Sequence, residues 1–436
     1  MKATIRSVEK RFSEKSDSAP FCGAARKILF SILKRLKRGQ IHILEADLHL
    51  TFGQITDDTS LEASVSVFHP GFYNRIVFGG SVGAGEGYMM GLWATDDLTT
   101  LFRIFLLNKE LFEGLDKRWS RLAAPAYKIV HALRRDTRKG SLSNISAHYD
   151  LGNDFYQLFL DETLTYSCGI FEKKTSTMKE ASLAKYDRIC RKLALKSSDT
   201  VLEIGTGWGG FAIFAAGQYG CHVTTTTISN EQYRLAQERI EKAGLRDRIH
   251  VLFEDYRDLK GRFDKLASIE MIEAVGHQYL GTFFRKCSDC LKEDGMMLLQ
   301  AITIADRVFE KHKNTVDFIK RYIFPGSCIP SIAAMSRAVA RGTDLKIDHL
   351  EDITPNYSRT LRAWRSRFFE NIQQVKALGY PNAFIRMWEF YLCYCEAGFQ
   401  ERYLGDVQMR LIKPMCRQAP ILPHLGDEKQ SSFMVS

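Results

Sequence analysis

Nowhere in its 436 residues does the chain approach the ~20 consecutive apolar residues that a membrane-crossing helix requires. A secretory pattern is missing too. The early apolar stretch, Ile28 to Leu33, is short and runs into Lys34, Arg35, Lys37 and Arg38 rather than a cleavage site. Clustered histidines are absent, and the lone Cys-x-x-Cys, Cys287 and Cys290, has no second pair. A structural zinc site needs four ligands, so no metal is expected, and these two read as thiols on one helix before a strand. The other cysteines are scattered, which suits a reducing compartment better than a disulfide framework. Acidic residues fall short of basic ones, leaving a net charge of +10. Much of that excess is early: residues 1–40 hold eleven Lys/Arg against three Asp/Glu. Such a segment can meet anionic phospholipid or nucleic acid, or stay solvated. No nucleic-acid motif accompanies it, so no nucleic-acid partner is expected. From Arg26 to Leu36 apolar and basic residues interleave. That pattern fits an amphipathic surface helix and equally an ordinary domain helix with a basic outer face.

The length implies two domains. Residues 1–20 read as a loose tail, 21–115 as a small α+β domain, 116–145 as a basic linker, 146–415 as the main domain, and 416–436 as a polar tail. In the small domain, Ile41 to Thr51 and Ala63 to Phe68 have strand character. The glycine-rich run Phe78 to Gly87 lacks the Gly-Lys-Ser/Thr ending of a phosphate loop and reads as turns. From Asp199 strands and helices alternate, which implies a doubly wound sheet. Its strands are expected at Val201–Ile204, Cys221–Ile228, Ile249–Phe253, Lys265–Ile269 and Met296–Thr303. Beyond Thr303 the pattern is mostly helical and aromatic to about Leu411.

The segment with the strongest chemical signal is Val201-Leu202-Glu203-Ile204-Gly205-Thr206-Gly207-Trp208-Gly209-Gly210. Glycines after a buried strand and before a helix let a ligand approach the backbone and permit positive φ. Dinucleotide enzymes share part of this pattern. Here, however, the spacing is Gly-x-Gly-x-Gly-Gly, and no Asp or Glu ends the second strand to hold a ribose. S-adenosylmethionine is the better fit than NAD.

Several further runs carry a family resemblance. They are His148 to Tyr156, Thr165-Tyr166-Ser167-Cys168, Thr227-Ile228-Ser229 with Gln232, Asp255 to Asp258, Tyr322 to Gly326, Asn356-Tyr357, Ala363-Trp364, and Tyr391-Leu392 with Cys395. Together with the glycine loop they resemble the cyclopropane-fatty-acid synthase family over about residues 146–412. The N-terminal segment, with Phe78-Gly79-Gly80, resembles the extension of the longer bacterial members. The resemblance implies an α/β fold: a Rossmann-like methyltransferase sheet with helical acyl-binding insertions, plus the smaller N-terminal domain. It implies that Tyr166, Ser167, Gly205, Gly207, Thr227 and Gln232 contact S-adenosylmethionine. Glu203 and Tyr256 are added by their places at strand ends. Gln232 stands three residues after Ser229, so this pair also fits a helix capping box.

Methylating an isolated alkene leaves a carbocation. The site must exclude water, offer electron-rich faces and remove a proton. By the resemblance, a bound bicarbonate does the last, held by Cys168 (backbone), Glu273, Ile302 (backbone) and Tyr357. Glu273 alone also fits an acid at a helix N-terminus. Cys395 matches the family's helical cysteine and reads as a buried small residue. Two departures stand out: many members have histidine where this chain has Gln300 and Ala274. Gln300 can donate a hydrogen bond but cannot titrate. The expected function is conversion of unsaturated phospholipid acyl chains to cyclopropane fatty acids, in the cytoplasm and peripherally at the inner membrane face. An anionic membrane surface is the expected partner, and a homodimer is compatible with the sequence. Two alternatives stay open: the same fold giving methyl-branched chains, and a non-catalytic lipid-binding module.

Overall fold

The computed structural model describes residues 22–56, 60–112 and 151–422. The segment 116–145, the triplet His148-Tyr149-Asp150 and most of both expected tails lie outside the described residues.

The first unit is built on a four-stranded sheet of β1 (Gly39–Glu45), β2 (Leu48–Gln54), β3 (Glu62–Val67) and β4 (Trp93–Thr95), in the order β2-β1-β3-β4. The extended run from Ile41 to Thr51 is two strands, folded back at Ala46, whose φ is +47°. Ile41, Ile43, Ala63, Val65 and Val67 point inward at the strand period of two and are buried. Helix Cys22–Leu33 buries Ala25, Leu29 and Leu33 in this core. Arg26 pairs with Glu45 at 2.8 Å. Of the two readings of the Arg26–Leu36 pattern, the apolar face therefore follows the domain-helix one, with Lys27, Lys34, Arg35, Lys37 and Arg38 exposed.

The glycine-rich run is not a set of turns. It lies inside helix Gly71–Met89, which kinks at Gly80 (φ +53°, ψ −138°). Close packing explains the composition: a Cβ on Gly85 would stand 2.3 Å from the Phe318 ring. Tertiary contact outweighs the low intrinsic helix preference of glycine.

The second unit is a seven-stranded sheet in the order β10-β11-β9-β8-β5-β6-β7. Its strands are β5 (Thr200–Ile204), β6 (His222–Thr227), β7 (Ile249–Phe253), β8 (Phe263–Ile269), β9 (Leu291–Ile304), β10 (Lys346–Asp352) and β11 (Leu404–Ile412). The five from β7 to β9 run parallel, joined by crossover helices such as Gly210–Tyr219 and Asn230–Lys242. This is the Rossmann-like α/β fold expected. Strands β10 and β11 add to the mostly helical reading beyond Thr303, which did not anticipate them. In β11 the alternate residues Asp406, Gln408 and Arg410 are buried polar groups, the first two paired with the buried Gln300 and the third with the half-buried Asp348. Its other face, Val407, Met409 and Leu411, is apolar and buried, so the strand alternates at period two between a polar and an apolar face that are both covered.

Helices Pro355–Glu370 and Asn382–Gln400 pack on each other, and the latter also meets helices Gly71–Met89 and Leu98–Leu107 of the first unit. Tyr88 Oη donates to Glu389 at 2.8 Å, and Phe102 meets Phe390 edge to face with centroids 4.8 Å apart. The two units thus share one aromatic core.

Candidate active site

In parallel α/β sheets, ligands bind outside the carboxyl ends of the strands where the strand order reverses. That point lies between β5 and β8, and a cavity of about 1020 Å³ opens there. It runs from the glycine loop into the N-terminal unit, where Leu33, Ile43, Val65 and Phe72 line it.

At one end, β5 leads into Gly205 (φ +105°), whose N–H and that of Thr206 donate to Thr226 O at 3.1 and 3.0 Å. A Cβ on Gly210 would lie 2.6 Å from Tyr186 Oη, so the loop packs tightly where the helix begins. Glu203 is 2% exposed and accepts from Thr225 Oγ1 at 2.6 Å, and burial pushes its carboxyl up to about 8. Thr227 Oγ1 donates to Gln232 Oε1 at 2.9 Å. Ser229 does cap the helix, accepting from Gln232 N, yet the Gln232 side chain also borders the cavity. Ser167 Oγ accepts from the ammonium of Lys185 at 2.5 Å. Tyr166 Oη meets Tyr391 Oη at 2.9 Å, and its ring lies 5.1 Å from that of Trp364. Tyr256 follows β7 beneath the Arg257 guanidinium. Tyr166, Ser167, Glu203, Gly205, Gly207, Thr227, Gln232 and Tyr256 all border this one cavity.

Deeper in, Glu273, Ile302, Tyr357 and Cys395 line the wall, whereas Cys168 and Gln300 are fully buried behind it. Glu273 Oε1 accepts from Ile302 N at 2.6 Å, and burial with the nearby Glu270 charge pushes its carboxyl up to about 8. Its Oε2 is buried with no hydrogen-bond partner among the described residues. Burial also raises the Cys395 thiol, so it is not a poised thiolate.

The residue that organises this end was not anticipated. Glu270, one position past β8, directs its carboxylate into the cluster. Its Oε1 accepts from Cys168 N and Gln300 Nε2, both at 2.8 Å, and its Oε2 accepts from Tyr357 Oη. Gln300 Nε2 also donates to Asp406 Oδ2 at 3.1 Å. Burial, then the Glu270 charge, pushes the Asp406 carboxyl well above the ordinary range. Lys185, completely buried, is the cation that opposes these acids.

This geometry corrects the expected bicarbonate. The donors from Cys168, Gln300 and Tyr357 are already taken by the two oxygens of the Glu270 carboxylate. The fourth, Ile302 N, is taken by Glu273. A further anion would face Glu270, Glu273 and Asp406 with no donor left among these four, so the residues present do not fit bicarbonate. A sequence signal did exist: an acid closing a parallel strand in Ser268-Ile269-Glu270, three residues before the Glu273 that was singled out. Lys185 and Asp406 carried none, being 85 residues before and 136 after Glu270 in the chain.

Among the described residues no group of His, Cys, Asp or Glu could hold a metal ion, and Cys287 and Cys290 are buried free thiols.

The model of the mycolic acid cyclopropane synthetase family matches residues 136–409. The chain belongs to this family. Its members are S-adenosylmethionine-dependent methyltransferases acting on lipids. The chain is 36% identical over 346 residues to the tuberculostearic acid methyltransferase UfaA1 of Mycobacterium tuberculosis, covering 78% of this chain and 80% of that protein. It is 35% identical over 354 residues to the cyclopropane-fatty-acyl-phospholipid synthase of Escherichia coli K12, covering 80% and 87%. Among solved structures, the mycolic acid cyclopropane synthase CmaA1 complexed with SAH and CTAB superposes with a TM-score of 0.59 at 30% identity. That match covers 62% of this chain and 98% of the other.

Proposed function

We propose that the protein transfers a methyl(ene) group from S-adenosylmethionine to the cis double bond of unsaturated phospholipid acyl chains, forming cyclopropane fatty acids. The observation that carries this reading is the continuity of the cavity. One wall is the glycine loop with Glu203 and Gln232, and the far end is an aliphatic chamber in the N-terminal unit. A site for a small polar acceptor would not need that chamber.

S-adenosylmethionine bound at the loop supplies an electrophilic sulfonium methyl. Glu203, Gly205, Gly207, Thr227 and Gln232 would hold the donor, with Tyr166, Ser167 and Tyr256 lining the same cavity. Tyr166, Tyr391 and Trp364 offer ring faces to the cationic carbon that forms on the chain, an interaction of about 0.5–2 kcal/mol per desolvated ring. Excluding water from this aromatic wall protects the cation from hydration.

Among the described residues no helix is long and apolar enough to cross a membrane. In this reading the enzyme reaches its substrate as a peripheral protein at the inner membrane face. The exposed Lys27, Lys34, Arg35, Lys37 and Arg38 meet anionic headgroups. Incubation with methyl-labelled S-adenosylmethionine and vesicles of unsaturated phospholipid tests the proposal. Label recovered in a saturated three-membered ring supports it, and unlabelled lipid with every vesicle sinks it. UfaA1, named for tuberculostearic acid, favours a second reading in which the product is a methyl-branched chain. Mass spectrometry of the esterified chains before and after hydrogenation separates the two.

A further inference from the structure

We infer that Glu270 is the built-in base of the reaction, the chain's own carboxylate standing where the related enzymes are expected to place bicarbonate. This rests on the methyl-transfer reading above and names the group that completes it.

Three independent features of Glu270 point the same way. Its backbone is strained: φ is +47° in a non-glycine residue, a conformation that costs on the order of 1–3 kcal/mol and persists where the surroundings over-determine it. Its carboxylate is held by three hydrogen bonds, one from a backbone N–H, one from an amide and one from a phenol, which leaves one of its about four lone-pair sites for a proton. It borders the same cavity as Tyr166, Tyr391 and the glycine loop, whereas Cys168 and Gln300 stand behind it. A structural acid would not need to face the cavity, and an acid of no consequence would not be held in a left-handed conformation by three donors.

The electrostatics suit the task. Burial raises the Glu270 carboxyl, while Lys185 and the three donors work against that rise and favour the ionised form. The other titratable groups that face it are Asp406, Glu273, Tyr357 and Cys168, each raised by burial and so inclined to stay neutral beside one anion. Burial lowers Lys185 as well, and the Glu270 charge is the first to oppose that fall, so the carboxylate and the buried ammonium favour each other's charged form. A carboxylate whose affinity for protons has been raised is a better base than one in water.

The step balances without further reactants. As the methyl C–S bond breaks, the alkene π pair forms the new C–C bond, leaving neutral thioether and a cation on the neighbouring chain carbon. Glu270 takes a proton from the new methyl. The released C–H pair closes the three-membered ring, and Glu270 is left as the neutral acid. If the proton comes instead from the chain carbon beside the cation, the product is an alkene, and Glu270 is still the acceptor. Gln300 and Tyr357 are positioning residues for the carboxylate.

Two measurements test this. The first needs no turnover: equilibrium binding of carbon-labelled bicarbonate to the full chain. The wild type binds none, and Glu270→Gly, which empties the cradle and relaxes the backbone, binds one equivalent. One equivalent bound by the wild type overturns the inference, whatever lipid the enzyme acts on. The second is turnover on unsaturated phospholipid vesicles in buffer stripped of carbon dioxide. The wild type is unaffected, and Glu270→Gln falls at least 100-fold in kcat with little change in S-adenosylmethionine affinity. Glu270→Gly falls similarly and recovers at least 10-fold with added bicarbonate or formate. Full activity of Glu270→Gln, or a bicarbonate requirement in the wild type, overturns the inference. A wild type that methylates no lipid yet binds no bicarbonate refutes the proposed function and not the occupancy of the cradle by Glu270.

Discussion

Gln408 and Gln300 stand directly opposite each other on the antiparallel strands β11 and β9, and Gln408 Nε2 donates to Gln300 Oε1 at 3.1 Å. Gln408 in turn accepts from the Lys192 ammonium at 2.8 Å. The relay fixes which way the Gln300 amide points: with its oxygen occupied, its NH₂ must face Glu270 and Asp406. A neutral amide thereby does half of what a histidine would do. It donates to two acids but carries no charge of its own.

Gln408→Leu removes the group that sets this orientation and leaves the Gln300 oxygen and the Lys192 ammonium short of a partner. Leaving a buried polar group unsatisfied costs about 1–3 kcal/mol. The expected outcome is a loss of that order in urea unfolding, with kcat falling several-fold while KM for S-adenosylmethionine holds. An unchanged kcat would mean that Gln300 keeps its orientation unaided.

Gly205→Ala addresses the cofactor end. A Cβ there would lie 3.2 Å from Met271 side-chain carbons on a backbone at φ +105°, which alanine does not adopt without strain. Calorimetric affinity for S-adenosylmethionine is expected to drop at least 10-fold with the far-UV circular dichroism intact. Retained affinity would remove the loop from the binding site.

Much of this site was legible in the sequence, and what was missed has a physical pattern. The glycine loop, Tyr166-Ser167 and Thr227 with Gln232 are local signals, a few residues on one strand end, and the structure brings all of them to one cavity. Strands β5 and β7 to β9 announced themselves by apolar residues and β6 by its β-branched threonines. Strand β11 was quieter: Val407, Met409 and Leu411 alternate with Asp406, Gln408 and Arg410, and that polar face is buried only by pairing with Gln300, Lys192 and Asp348, groups at least 62 residues away in sequence. Helix Gly71–Met89 was hidden because its glycines answer to tertiary contacts, Gly87 to Trp93 and Gly85 to Phe318, the latter more than 200 residues on. Glu270 was overlooked beside Glu273 for the same reason: its role comes from Cys168, Gln300 and Tyr357, which only the sheet brings together.

Glu396 joins the two units. It is 1% exposed and accepts from Arg362 at 3.0 Å, while Arg365 and Thr99 of the first unit also reach its carboxylate. Removing it as Glu396→Ala leaves Arg365 with Thr99 and Cys393 as partners, and both arginines keep partial access to water, which lowers the penalty. The expected loss is about 1–3 kcal/mol in unfolding free energy. Proteolysis of helix Leu98–Leu107 should quicken before the methyltransferase sheet is cut. Cleavage at an unchanged rate would show that aromatic packing alone joins the units.

Leu106 borders the apolar end of the cavity and is only partly buried. Leu106→Trp shortens the chamber without filling a packed core. In competition between vesicle lipids that differ in the chain length beyond the double bond, the variant should lose longer chains several-fold more than shorter ones. Equal losses would place the chain elsewhere.

Stability against pH gives the last test. Burial raises Glu203 and Glu273 from the ordinary 4.5 to about 8 in the folded protein. Between those values the folded state keeps protons that the unfolded chain has released, so unfolding is favoured increasingly as pH rises through the window. The thermal midpoint of the cofactor-free protein is therefore expected to fall from about pH 5 to pH 8, opposite in sign to a salt-bridged acid. Glu203→Gln keeps an oxygen to accept from Thr225 Oγ1 and cannot ionise, so its profile should be flatter over the same range, with the gap over wild type widening toward pH 8. Parallel profiles for the two proteins would show that Glu203 is ionised in the folded state. The Lys185 ammonium would then balance two buried carboxylates, Glu203 and Glu270, instead of one.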